Sequence, residues 1–118
     1  MFKHRIIEGP GDSRAAVIEL HGSFESRNAR EFKAAVDACL EGGARDLILD
    51  LEHVHFMGSS GFAVILSCLE RLGPGGHILL SRLPDRVLTV VEMLGLGPVL
   101  DIVADEHEAR ELLWGAPE

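Results

Sequence analysis

Residues 46–66, DLILDLEHVHFMGSSGFAVIL, carry the strongest structural signal in the sequence. Leu47, Ile48 and Leu49 follow one another without alternation, which is typical of a strand covered on both faces and predicts a central strand over 46–52. The apolar residues after Gly-Ser-Ser-Gly recur at three- and four-residue spacing, which predicts a mostly buried helix over 59–72. A buried strand followed directly by a buried helix is typical of a parallel α/β sheet.

The residues before this segment predict a hairpin and a helix. Short apolar runs over 4–8 and 15–21, separated by glycine and proline, predict two paired strands. The GSFE segment, residues 22–25, is then predicted to turn the chain. Ser26 is predicted to cap a helix that runs to about Leu40, because serine is a favoured residue at a helix N-terminus.

The residues after this segment continue the alternation of strands and helices. The predicted elements are a strand over 77–82, a helix that begins at Pro84 with Val87, Leu88, Val91 and Leu94 inward, a strand over 99–103 and a helix over 105–114. The resulting order ββαβαβαβα predicts an α/β fold with a mixed, mostly parallel sheet of about five strands and about four helices. We expect residues 1–118 to form a single domain, as is usual for this length.

Composition limits the classes of function. The formal net charge of −8 argues against a protein whose main task is to bind nucleic-acid phosphates. No apolar run is long enough to cross a bilayer, and the first residues lack the apolar core of a signal peptide, so we expect a cytoplasmic protein without membrane insertion. Cys39 and Cys68 fall in helical patterns without CxxC spacing and are expected to be reduced and packed.

Two further patterns predict neither a metal nor a cofactor. His53 and His55 alternate at the end of the central strand, but a third ligand is not evident near them. Gly95 and Gly97 form a lone GxG pattern without the strand-to-helix context of a dinucleotide site, and are better explained as a helix end.

The Gly-Ser-Ser-Gly junction allows three roles. In the first, Gly58 permits a sharp turn and Ser59 or Ser60 caps the helix. In the second, a hydroxyl is exposed at the C-terminal edge of the sheet, where phosphorylation would switch a partner contact without refolding the domain. In the third, Ser60 is a nucleophile. Phe62 occupies the position of the last glycine of a nucleophile elbow and the chain is short for a hydrolase, so no catalytic residue is predicted.

The segment from Asp46 to Leu66 resembles the STAS family, and most closely its bacterial anti-sigma factor antagonists. Members have an apolar strand, a short loop and Asp-Ser-Ser/Thr-Gly leading into an apolar helix. The GSFE segment is similar to the family's Gly-x-[Leu/Ile]-Asp turn, and VVEMLGL, from Val90 to Leu96, is similar to the family's third helix and its end. The resemblance covers nearly the whole chain and implies a STAS-like fold.

The resemblance implies a phosphorylation switch and no enzymatic activity. In the family, the unphosphorylated antagonist binds an anti-sigma factor that is also a serine kinase, which frees a sigma factor. The kinase phosphorylates the first serine of the motif, the complex dissociates, and a PP2C-type phosphatase restores it. By position, the phosphorylated residue is Ser59. The implied partner interface consists of Glu25, Gly58, Ser60, Gly61 and Phe62.

Two residues depart from the family pattern. Gly58 stands where the family usually has Asp, and Glu25 stands where the turn usually ends in Asp. Because both acids lie near the kinase-facing surface in the family, the loss of one is expected to weaken kinase recognition or to leave a constitutive binder.

Other STAS domains are cytoplasmic subunits of lipid-transporting ABC systems or members of stress-signalling assemblies. A non-phosphorylated interaction subunit of that kind is the alternative function.

Overall fold

The computed structural model describes residues 2–115, which form one sheet and its covering helices. The strands are β1 Lys3–Glu8, β2 Arg14–Phe24, β3 Asp46–Met57, β4 Ile78–Ser81 and β5 Asp101–Val103. The helices are α1 Ala29–Glu41, α2 Ser59–Leu72, α3 Asp85–Met93 and α4 Glu106–Trp114, with a 3₁₀ helix over Ser26–Asn28 before α1. Within residues 2–115, no helix combines the length and the apolar character needed to cross a membrane.

The sheet is mixed and its strands follow chain order, β1-β2-β3-β4-β5. β1 and β2 form an antiparallel hairpin, and each of the three later strand pairs is parallel. Each parallel pair is connected through a helix, as a crossover between parallel strands requires. The predicted α/β fold and its leading hairpin are therefore confirmed.

Helices cover the two faces of the sheet unequally. α1, α2 and α3 pack on one face over alternate strand residues, namely Ala16, Ile18, Leu47, Leu49, Ile78 and Leu80. α4 covers part of the other face, over the intervening residues Ala15, Val17, Ile48 and Leu79. The centre of β3 is thus buried on both faces, as its continuous apolar run predicts. Because α4 has only nine residues, His21 and His53 near the C-terminal ends of β2 and β3 stay exposed.

Two strands run further than their sequence patterns predict. β2 continues through Phe24, so the predicted turn over 22–25 is wrong, and β3 continues to Met57 instead of ending at 52. Two register shifts between β2 and β3 accommodate the extra length, and Gly22 beside one of them adopts a φ of +71°. Gly22 and Ser23 are residue types that often form turns. Here their backbone pairs with β3, which satisfies its hydrogen-bonding groups.

Three helix-related predictions are corrected by the structure. Ser26 does not cap α1; it begins the 3₁₀ helix, whose N-cap residue is Glu25. The backbone N–H of Glu25 donates to Oδ1 of Asn28 at 2.8 Å, as in a capping box. Pro84 is the N-cap residue of α3 and not its first helical residue. Leu94, predicted to face the core, is 45% exposed because α3 has already ended at Met93.

Both cysteines are free and buried, as predicted. Burial raises the pKa of the Cys39 thiol to about 11. Burial also raises the pKa of Cys68. Both thiols are therefore protonated and unreactive in the folded protein at neutral pH.

We expect neither thiol to react with a water-soluble disulfide reagent in the native protein at pH 8. With a pKa of about 11, the thiolate fraction of Cys39 at that pH is about a thousandth, and the side chain is also inaccessible. The measurement is the release of the coloured thiol over time. Both cysteines should react promptly in denaturant, which is the control, whereas fast reaction of one thiol without denaturant would contradict the packing described here.

Candidate protein-interaction site

The junction of β3 and α2 lies at the C-terminal edge of the parallel strands. Met57 ends β3, Gly58 is the N-cap residue, and Ser59 and Ser60 are the first two residues of α2. Both serines are exposed, and within residues 2–115 neither hydroxyl has a hydrogen-bond partner. The predicted helix cap by Ser59 or Ser60 is therefore wrong, because both residues lie inside the first turn and no side chain caps α2.

The uncapped start of α2 gives this edge a local positive potential. The first N–H groups of a helix lack intrahelical acceptors, and the helix dipole adds a partial positive charge at the same end. Ser59 carries its hydroxyl at this end and uses it for no internal contact. A phosphate on Ser59 would therefore break no hydrogen bond of the domain and would lie where a helix favours an anion.

The backbone at Gly58 does not require glycine. Its φ of −101° and ψ of −167° are extended angles that any residue adopts, so the predicted need for glycine in a sharp turn is wrong. A Cβ atom at this position would lie 3.1 Å from the ring of Phe56. That ring is 52% exposed and can move aside. An acid at position 58 is therefore compatible with this backbone.

Gly61, in contrast, is required by packing. A Cβ atom on Gly61 would lie 2.5 Å from the carbonyl oxygen of Phe24 and 3.0 Å from the side chain of Met57. The first turn of α2 thus rests directly on the end of β2. Phe62 follows with 1% exposure and packs in the main core, as the apolar spacing of α2 predicts, so its side chain is not available at the surface. Gly61 and Phe62 instead hold the two serines at the surface.

Glu25 reaches the same edge from the neighbouring strand. Phe24 pairs with Met57 in parallel register, so Glu25 and Gly58 directly follow paired residues at the ends of adjacent strands. The carboxylate of Glu25 is 3.1 Å from Nε of Arg27, which offsets part of its negative charge. Glu25, Gly58 and the two serines therefore lie on one edge of the sheet, whereas Gly61 and Phe62 lie beneath it.

Phe56 belongs to this edge and was missed in the sequence analysis. Its ring lies against Gly58 and is half exposed. Phe56 lies beyond the predicted strand over 46–52, so its sequence pattern gave no signal. Since β3 extends to Met57 and neighbouring strand residues point to opposite faces, Phe56 lies on the face opposite Met57, in the part that α4 leaves open. Exposed aromatic side chains are enriched in protein interfaces, so this ring extends the candidate site by one apolar contact.

His53, near the end of β3, contacts a histidine of the neighbouring strand. His53 stacks on His21 of β2, with ring centroids 5.2 Å apart and planes 7° from parallel. Its Nε2 atom lies 3.1 Å from a carboxylate oxygen of Glu52. Across residues 2–115, no group of three or more His, Cys, Asp or Glu side chains has a geometry that could hold a metal ion. These side chains form a polar part of the open sheet face.

The two glycines of the junction provide a matched test of this geometry. We expect Gly61→Ala to lower the free energy of unfolding by about 1–3 kcal/mol, because a backbone carbonyl must shift to admit the methyl group. Gly58→Ser should change it by less than about 0.5 kcal/mol, since serine suits an N-cap and only an exposed ring must move. Denaturant unfolding measures both values. Equal destabilisation by the two substitutions would contradict the packing of α2 on β2.

Comparison with known sequences finds one family and two informative relatives. The STAS domain family model matches residues 7–109. A Bordetella bronchiseptica protein assigned as the anti-sigma factor antagonist BtrV is 31% identical over 91 residues, which cover 76% of this chain and 78% of the relative. The anti-sigma F factor antagonist of Lysinibacillus sphaericus is 30% identical over 102 residues, which cover 84% of this chain and 86% of the relative.

Comparison with solved structures finds the same architecture. The unphosphorylated form of the anti-sigma factor antagonist SpoIIAA superposes with a TM-score of 0.73 at 23% identity, covering 98% of this chain and all of the other. The phosphorylated form of Bacillus SpoIIAA gives a TM-score of 0.68 at 21% identity, covering 95% of this chain and 99% of the other. At these identities the likeness establishes the fold. Together with the family match over residues 7–109, it shows that the chain belongs to the STAS domain family.

Proposed function

We propose that this chain is an anti-sigma factor antagonist whose partner binding is controlled by phosphorylation of Ser59. In its unmodified form it binds an anti-sigma factor that has serine kinase activity, and the sigma factor is released. The kinase then phosphorylates Ser59 and the complex dissociates. A PP2C-type phosphatase removes the phosphate, and the exchange takes place in the cytoplasm, where sigma factors act. The chain itself acts by binding and needs no turnover.

The observation that carries this proposal is the position of Ser59. Its hydroxyl is exposed, lacks a hydrogen-bond partner within residues 2–115, and lies at the uncapped start of α2. A kinase can reach such a hydroxyl without unfolding the domain. The names of the two curated relatives, both anti-sigma factor antagonists, support the choice of partner. The existence of SpoIIAA in unphosphorylated and phosphorylated forms supports the choice of modification.

Phosphorylation would act on the complex more than on the domain. A phosphoserine carries about −1.5 to −2 charges near neutral pH, and the positive end of α2 offsets part of that charge in the free protein. A partner that covers the edge would remove the phosphate from water. Burying an unmatched charge costs several kcal/mol, and each ~1.4 kcal/mol weakens binding tenfold.

The proposed interface includes Ser59 and residues at the ends of β2 and β3. Glu25 and Ser60 provide polar groups, and Phe56 provides an exposed ring beside Gly58. Gly58 leaves this surface without the acid that the family usually carries before the serine. A partner of this chain would therefore contact the ring of Phe56 and the backbone of Gly58, where other family members present a carboxylate. A kinase that recognises this edge would therefore do so without a carboxylate at position 58.

Ser59→Glu provides the direct test of the switch. We expect it to weaken binding to the anti-sigma factor at least about tenfold, because a fixed negative charge would lie inside the contact. The partner is first recovered from a lysate of the source organism with wild-type bait, and its affinity is then measured by calorimetry. Ala38→Glu, which adds the same charge at an exposed position late in α1, is the matched control and should bind like wild type.

Phosphopeptide mapping locates the modification in the same complex. After incubation with the recovered kinase and ATP, the phosphate should be found on Ser59 and should be absent from Ser59→Ala. A phosphate on Ser60, or equal affinities of wild type and Ser59→Glu, would contradict the proposed switch. Recovery of ABC transporter subunits from the lysate, by wild-type bait and by Ser59→Glu bait alike, would instead support a non-phosphorylated interaction subunit.

A further inference from the structure

A groove between α1 and α2 lies outside the edge that contains Ser59. It has a volume of about 430 Å³. Its lining comes from one stripe on each helix, namely Ala29, Arg30 and Lys33 of α1 and Val64, Ser67, Cys68 and Arg71 of α2. Because residues three and four apart share a helix face, the two stripes face each other along the groove.

The floor of this groove is apolar. Val64 is 8% exposed and Cys68 is 2% exposed, and both belong to the main core. The hydroxyl of Ser67 donates to the carbonyl oxygen of Val64 at 2.7 Å, so its proton is used within the helix. The floor therefore offers a ligand apolar contact and few hydrogen bonds.

The rim of the groove is cationic, although the chain has a net charge of −8. Arg30, Lys33 and Arg71 line it, and no acidic side chain does. Arg71 pairs with Asp37, whereas Arg30 and Lys33 have no ion pair within residues 2–115. Two uncompensated cations one turn apart on α1 thus face an apolar floor.

The charges of this rim act on the groove itself. Burial raises the pKa of the Cys68 thiol. The hydrogen bond with Ser67 and the charges of Arg71 and Lys33 oppose that rise, whereas the charge of Asp37 adds to it. Both cations therefore lie close enough to the floor to influence a group placed on it. A ligand there would contact apolar side chains and cations together.

We propose that this groove binds an amphipathic organic anion. Its apolar part lies on Val64 and Cys68, and its acid group lies between Arg30 and Lys33, where the guanidinium and ammonium groups donate charge-assisted hydrogen bonds. The volume of about 430 Å³ falls in the range of small-molecule sites. The lining combines an apolar floor with cationic groups on the rim, which suits a small ligand that has an apolar part and one acid group.

The probe for this site is sodium decanoate, followed by amide NMR of the isotopically labelled chain. We expect saturable shifts concentrated at Ala29, Lys33, Val64 and Cys68. Sodium acetate, which has the acid group without the apolar chain, and 1-decanol, which has the chain without the charge, should each produce at least tenfold weaker binding. This pattern would show that both halves of the groove are used.

Charge reversal tests the proposed role of the rim. The double variant Arg30→Glu/Lys33→Glu should bind decanoate at least tenfold more weakly than wild type. Arg45→Glu/Arg86→Glu is the matched control, since it makes the same charge change at two exposed cations that do not line the groove, and it should bind within twofold of wild type. If the first variant does not give a folded spectrum, Arg30→Ala/Lys33→Ala replaces it with the same expected loss.

Three results would overturn this inference. The first is the absence of saturable shifts at the groove residues with decanoate. The second is equal affinity for acetate and decanoate, which would indicate non-specific binding of anions at the surface. The third is an equal loss of decanoate binding in both double variants, which would attribute the loss to the change in net charge. Because the groove residues are distinct from Ser59 and its neighbours, these outcomes are independent of the phosphorylation switch.

Discussion

The parallel pairing of β2 and β3 up to Phe24 and Met57 is the constraint on which the candidate site depends. It holds the carbonyl oxygen of Phe24 where only the hydrogen atom of Gly61 fits, so α2 must begin directly after β3. No loop separates the two elements, and both serines are therefore held at the surface on a rigid first turn. The same pairing places Glu25 at the end of β2, next to the end of β3. Residues that follow two adjacent strands therefore form the site.

This rigidity explains how a modification can change a contact without changing the fold. The domain uses the hydroxyl of Ser59 for no described hydrogen bond, and the start of α2 is open to an anion. The consequences of a phosphate therefore fall mainly on whatever covers this edge. The cationic groove begins one turn further along α2, because Ser60 and Val64 are four residues apart on the same helix face. A ligand in that groove would lie beside the partner surface without occupying it.

Continuous or periodic burial is the property that could be predicted from the sequence. The run at 47–49 predicts a doubly covered strand, and the apolar spacing over 59–72 predicts α2 with the observed bounds. The end of β2 was not predictable in this way, because Gly22 and Ser23 are residue types that favour turns, while their backbone pairs with β3. The burial of Phe62 follows from the same apolar spacing, whereas the exposure of Phe56 depends on how much of the sheet α4 covers, which is tertiary information. The resemblance to a family points to Ser59 as the modified residue, which stays a prediction, whereas the expectation that Ser59 or Ser60 caps the helix is wrong.

The most direct test of this account is an amide NMR comparison of the unmodified chain with the chain that carries phosphoserine at position 59, introduced during synthesis. We expect shifts confined to Glu25 and residues 56–62, and a free energy of unfolding that is unchanged or raised by up to about 1 kcal/mol by the helix dipole. This expectation is contradicted if the shifts spread through the sheet core, or if the phosphorylated chain unfolds more easily. Either result would mean that the phosphate acts by altering the fold and not by occupying a rigid contact surface.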